Sequence, residues 1–238
     1  MSHVLAIFGR EIAALFGRPL AWLVLTLFLS LLAAGSLWID DLLAVGVATL
    51  DGAFFWMACT FVFVVPAVTM RLVAEEKRSG SLELLATLPV TSTEIVVGKW
   101  LAAVFLVAVA LATSLSWPIA LAMLGDLDWG PVVGGYLGLL FMGAGFAAIG
   151  TFTSALTDSQ VMAFLLSFVA CLVPFAMGLL LGLVPGSWVP FVQYLTFEYH
   201  FANLARGVLD TRSLVFFGAV TLAGLEGARF MLERRRLS

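Results

Sequence analysis

The sequence predicts an all-α polytopic membrane protein, with six transmembrane helices, an N-terminal amphipathic interfacial helix and one long helical loop in the cytoplasm. Three observations lead there. Of 238 residues, 62% are hydrophobic and 11% charged, against roughly a quarter charged in a soluble domain. The mean hydropathy of +1.10 comes from several long apolar runs, and a span needs only about 20 such residues to cross a core of about 30 Å. Finally, the basic residues segregate to alternate connections, as a chain threading a bilayer requires.

In chain order, residues 1–18 place Val4, Leu5, Phe8, Ile12, Leu15 and Phe16 on one helical stripe, which suits a helix lying along the membrane surface. Glu11 projects at the edge of that stripe, as a surface carboxylate or as a partner for a cation of the 71–99 loop. Spans follow at about 19–38, 53–70, 100–124, 131–154, 161–184 and 214–232. Ala33-Ala34-Gly35-Ser36 resembles a signal cleavage site, but the apolar run continues through Leu37 and Trp38, so a retained first span is expected. The sixth span carries Glu226 and Arg229, three apart on one helix face and able to pair.

Gly134/Gly138 and Gly178/Gly182 permit close helix approach, within the chain or at a dimer seam. Pro66, Pro118 and Pro174 are candidate hinges. Residues 185–213 are too apolar for a free loop and too interrupted for a span, so short helices lying in, or dipping into, the outer interface are expected there. Glu198 and His200 in that segment are an interfacial pair or the lining of an exit path. Cys59 and Cys171 fall inside spans and read as packing residues. The whole chain, 1–238, reads as one transmembrane domain.

Ten of the twelve basic residues (Arg10, Arg18, Arg71, Lys77, Arg78, Lys99, Arg229, Arg234, Arg235, Arg236) fall on one side of these spans. By the positive-inside rule that side, with both termini and the 71–99 loop, is cytoplasmic. Six of the seven tryptophans fall near span ends, as an interfacial belt would place them.

Residues 71–99 form the one long polar stretch and carry eight charged side chains. Gly80-Ser81 breaks the helix leaving the second span, and Ser81 can cap a short helix over SLELLATL. Glu83 suits its first turn, and Pro89 ends it. Thr91 and Glu94 then match the T-x-x-E box that opens another helix. The leucines Leu82, Leu84, Leu85 and Leu88 exceed what a short solvated helix carries, and call for a partner or for the rest of the chain. Covalent chemistry is not expected. The string from Gly145 to Gly150 and Thr151 lacks the lysine of a phosphate-binding loop, and two histidines, His3 and His200, offer no metal cluster.

The stretch VVPAVTMRLVAEEKRSGSLELLATLPVTSTEIVVGKWLA resembles the first cytoplasmic loop of ABC-2 type transporter permeases. The match rests on Glu75, Glu76, Gly80, Ser81, Leu82, Glu83, Leu84, Leu85, Pro89, Val90, Thr91, Gly98 and Lys99. REIAALFGRPLAW resembles the family's amphipathic first helix, and HFANLARGVLDTRSLVFF the stretch before its last span. The gliding-motility-associated permeases resemble the chain most closely; the permease of nitrous oxide reductase maturation is a second candidate.

The resemblance implies a multi-pass permease of the bacterial inner membrane, paired with a second permease subunit as a homodimer or heterodimer. A separate ABC ATP-binding subunit, carrying ATP and Mg, would dock on a coupling loop that includes Glu75, Glu76, Gly80, Ser81, Leu82, Glu83, Leu84, Leu85, Pro89 and Lys99. This chain would bind no cofactor, and its surroundings would be lipid, with no nucleic acid. Two rival readings remain: a mechanotransmitting permease acting on an envelope partner, and an assembly scaffold without energy coupling. The near absence of mid-span charge, which costs on the order of 3 kcal/mol per group, argues against an ion- or proton-coupled carrier.

Overall fold

A chain that must satisfy its peptide groups without water can use helices or closed barrels, and among the described residues there are helices and no strand. The computed structural model describes residues 2–39, 49–80, 90–183, 185–207 and 210–236. Helix α1 spans Ser2–Phe16. Pro19 then opens α2, Pro19–Ala34, at a position where its missing N–H has no helical partner to lose. A π-helical turn, Gly35–Ile39, extends α2. Helix α3 covers Asp51–Thr69 and α4 covers Ala74–Ser79.

The third crossing is α5, Ser92–Ser114, followed after one residue by α6, Ser116–Leu124. Then come α7, Trp129–Leu156, and α8, Gln160–Leu179. Two short helices follow, α9, Val189–Leu195, and α10, Phe197–Ala205, before the final α11, Thr211–Arg236. Among the described residues six helical stretches are long and apolar enough to cross a membrane: Pro19–Ile39, Asp51–Ser79, Ser92–Leu124, Trp129–Leu156, Gln160–Leu179 and Thr211–Arg234. Their number and order agree with the six expected spans, and in the second a turn at 70–73 joins α3 to α4.

Helix α7 is the hub, packed against α3, α5, α8, α10 and α11. Its glycines are the reason it can be. A Cβ at Gly134 would stand 2.1 Å from the Leu204 carbonyl oxygen of α10. At Gly135 it would meet the Phe54 ring of α3 at 2.4 Å, and at Gly143 it would meet Val107 of α5 at 2.7 Å. Gly134/Gly138 therefore serves packing within the chain. Gly178 also packs inward, on Glu198, whereas Gly182 has nothing within 4 Å.

The third crossing is broken at Leu115, one turn before Pro118. Proline removes the N–H that would have bonded the carbonyl of Ser114. That carbonyl accepts instead from the Tyr136 hydroxyl of α7 at 3.0 Å. The break is thus satisfied by a neighbouring helix, as membrane burial demands.

The 185–213 segment contains two short helices with different surroundings. Helix α9 has no buried residue, but α10 turns inward against α7 and buries Phe197, His200, Phe201 and Leu204. The apolar residues fall at spacings of three and four, so one face of α10 can enter the bundle.

The Gly134 contact is with backbone, which cannot yield as a side chain can. Gly134→Ala is expected to cost about 1–3 kcal/mol by overpacking and to lower the thermal unfolding midpoint of detergent-purified protein, while Gly182→Ala leaves the midpoint unchanged.

Candidate coupling site

The site begins with helix starts. Thr91 caps α5 as the T-x-x-E spacing predicts: its Oγ1 accepts from the Glu94 N–H at 3.3 Å, and Glu94 Oε2 accepts from the Thr91 N–H at 2.9 Å. The first turns of α5 receive α1 side-on. Gly98 permits this, because a Cβ there would lie 2.8 Å from Ile7 Cγ2 and 3.2 Å from the Val4 carbonyl oxygen. Ile7 is buried with Ile95, and Phe8 and Phe16 set their rings against Phe105 at 5.9 and 6.4 Å. The apolar stripe of α1 is thus used on α5, and Glu11 is carried to its edge.

There a closed ring of four alternating charges forms. Lys99 Nζ donates to Glu11 Oε1 at 2.9 Å and pairs with Glu76 Oε1 at 2.9 Å. An Arg10 Nη donates to the same two oxygens, at 2.7 Å each. Lys99 has a side chain 1% exposed; a buried cation of this kind is tolerated only when paired. Beside the ring, Arg18 donates to both carboxylate oxygens of Glu75, at 2.9 and 3.2 Å. Burial pushes the Glu11 carboxyl up, but the Lys99 ammonium and the hydrogen bonds from Arg10 and Lys99 outweigh it, and the group lies below its ordinary value.

Helix α4 is held on its other side by the end of α7. The Val73 and Ala74 N–H groups donate to Ser154 Oγ at 3.1 and 3.0 Å, and Ser154 Oγ donates to the Met70 carbonyl at 3.0 Å. Lys77 Nζ donates to the Ala155 carbonyl and lies 3.8 Å from Asp158. Gly80 ends α4 at φ +71°, a conformation that favours glycine.

Glu11, Glu75, Glu76 and Lys99 therefore come together in one place, with Gly80 at its margin. Ser81, Leu82, Glu83, Leu84, Leu85 and Pro89, and the short helix expected over them, lie outside the described residues. Sequence reasoning missed Arg10, Arg18 and Ser154. Arg10 is adjacent to Glu11 and Arg18 lies seven residues beyond it, just past α1, and only the packing of α1 shows which carboxylates they meet. Ser154 carried no signal beyond a small polar residue at a span end.

At the opposite end of the bundle, His200 and Glu198 do not act together. His200 is fully buried, with Nδ1 3.2 Å from Ser213 Oγ, Nε2 3.0 Å from the Tyr194 carbonyl and its ring stacked 4.1 Å from Phe216. It holds α10 to α11 and does not line an opening. Glu198 points the other way, into a cleft between α3, α8 and α10.

An α-helical bundle with six membrane-spanning helices and a charged segment locked to three of its elements defines a polytopic membrane protein. Residues 45–208 match the family model described as ABC-2 family transporter protein, and the chain belongs to that family as a permease component of an ABC transporter. The matched stretch contains Glu75, Glu76 and Lys99 but not Arg10, Glu11 or Arg18. No curated protein matches the chain.

Two outcomes test the ring. Lys99→Ala leaves Glu11 and Glu76 sharing Arg10, and is expected to cost up to about 3 kcal/mol, the low end for a broken buried pair because both acids keep some contact with water. The measurement is thermal unfolding in detergent. The lowered Glu11 carboxyl stabilises the folded chain above the ordinary value of 4.5, and that contribution is lost as pH falls through its lower folded value. A spin-label distance between α1 and the start of α5 is expected to hold at neutral pH and to broaden only below the ordinary carboxyl value of 4.5.

Proposed function

We propose that this chain is the membrane subunit of an ATP-driven exporter, paired with a second permease and driven by a separate ATP-binding subunit that docks on the 81–89 segment. ATP and Mg belong to that partner, and this chain performs no covalent chemistry. The ten basic residues gathered at one end support a cytoplasmic position for both termini and for the docking segment, in a bacterial inner membrane.

The observation that carries this reading is the anchorage of α4. Its residues Glu75, Glu76 and Lys77 tie it to α1, to α5 through Lys99, and to the end of α7. A displacement of the adjoining 81–89 segment would reach all three at once, and α7 touches most of the bundle. In this reading Glu75, Glu76 and Lys99 brace the loop, while Leu82, Leu84 and Leu85 supply the apolar contact with the motor. Gly80 sets the angle at which the chain leaves α4. The resemblance to gliding-motility-associated permeases supports only a subgroup assignment by sequence.

The two roles separate by mutation. Glu76→Lys puts three cations in the ring, and is expected to abolish permease-dependent stimulation of ATP hydrolysis while the ATP-binding subunit still co-purifies. Leu84→Asp is expected to reduce co-purification of that subunit about tenfold or more, as loss of a buried apolar anchor does. Both variants should insert in the membrane. Wild-type binding and stimulation in both would overturn the proposal.

A further inference from the structure

Away from the charged ring, at the other end of the bundle, a cleft of about 300 Å³ opens between the start of α3, the end of α8 and α10. That volume is at the lower end of small-molecule sites. Its walls are aromatic: Phe55 and Phe175 face each other with ring centroids 6.5 Å apart, and Phe54 stands edge-on to Phe201, also at 6.5 Å. Two carboxylates, Asp51 and Glu198, line the same cleft, with Arg206 at its exposed mouth. Among the described residues none of the three makes an ion pair or a side-chain hydrogen bond.

Glu198 is placed there by a specific accommodation. Its Cβ and Oε2 lie 2.7 and 3.1 Å from where a Cβ of Gly178 would stand, so α8 makes room for the carboxylate at that residue. Asp51 and Glu198 bring two negative charges to the aromatic wall against the one positive charge of Arg206, an excess of negative charge next to low-dielectric surroundings.

From this combination the geometry points to a binding site for lipophilic cations: molecules with an ammonium or phosphonium charge on an apolar body. The apolar body would shed water against the four phenylalanines. The positive charge would be drawn both to the carboxylates and to the ring faces. An anion of the same shape would meet two like charges against one arginine, and a neutral lipid would leave the excess negative charge uncompensated. The site stands independently of the ATP-driven reading, since binding to it requires no motor.

The test uses the purified full-length chain in a neutral maltoside detergent and two probes of matched size and opposite charge, tetraphenylphosphonium and tetraphenylborate, by equilibrium dialysis. Saturable binding of the cation and not of the anion is expected. Glu198→Gln and Asp51→Asn are each expected to raise the Kd for the cation about tenfold or more, the loss of a charge-assisted contact. Glu226→Gln, on an exposed acid near the far end of α11, should leave it unchanged. Asp51 is exposed at the first turn of α3, so its variant keeps the test decisive if Glu198→Gln folds poorly. Equal binding of the two probes, or an unchanged Kd in both cleft variants, would overturn the assignment.

Discussion

Lys99 is the constraint on which the rest of this end of the molecule depends. A lysine ammonium buried to 1% exposure at the start of a membrane helix cannot remain unpaired, because the loss of hydration is worth several kcal/mol. Two carboxylates meet it, one from α1 and one from α4, and Arg10 closes the ring between them. Neutrality of the four charges fixes three elements relative to one another that share no continuous backbone. The surface helix, the loop helix and the third crossing are consequently a single mechanical unit.

The membrane interior follows a related rule with neutral groups. Helix α7 approaches five other helices because its glycines remove side chains where neighbours arrive. Where the third crossing breaks before Pro118, the freed Ser114 carbonyl is met by Tyr136. Where α4 leaves α3, two N–H groups and one carbonyl converge on the single hydroxyl of Ser154. Both of these breaks are thus repaired by a polar group on α7, the helix that also packs against most of the bundle.

The charged string at 71–99 therefore contains two kinds of residue. Glu75, Glu76, Gly80, Gly98 and Lys99 have internal explanations: ion pairs, a left-handed turn and a close helix approach. The leucines of 82–88 lie outside the described residues, and their chemistry calls for a partner or for the rest of the chain. The family match through residues 45–208 contains Glu75, Glu76 and Lys99. Arg10 and Glu11 come from α1, and Arg18 from the link that precedes α2.

The sequence by itself determined what depends on local pattern. Six spans, the stripe of α1 and the T-x-x-E cap are each written in consecutive residues, through hydropathy, periodicity and hydrogen bonding within a turn. Glu11 was legible as an anomaly, since a carboxylate beside an apolar stripe calls for a cation. Only the tertiary structure decided which cation, because Lys99 lies 88 residues away and one-dimensional spacing says nothing of which helices touch. The same holds for His200 and Glu198, two residues apart in sequence yet committed to opposite sides of α10: one hydrogen-bonded inside the bundle to Ser213 and Tyr194, the other left to face the cleft. Helical phase separates them, and the packing of α10 against α7 sets that phase.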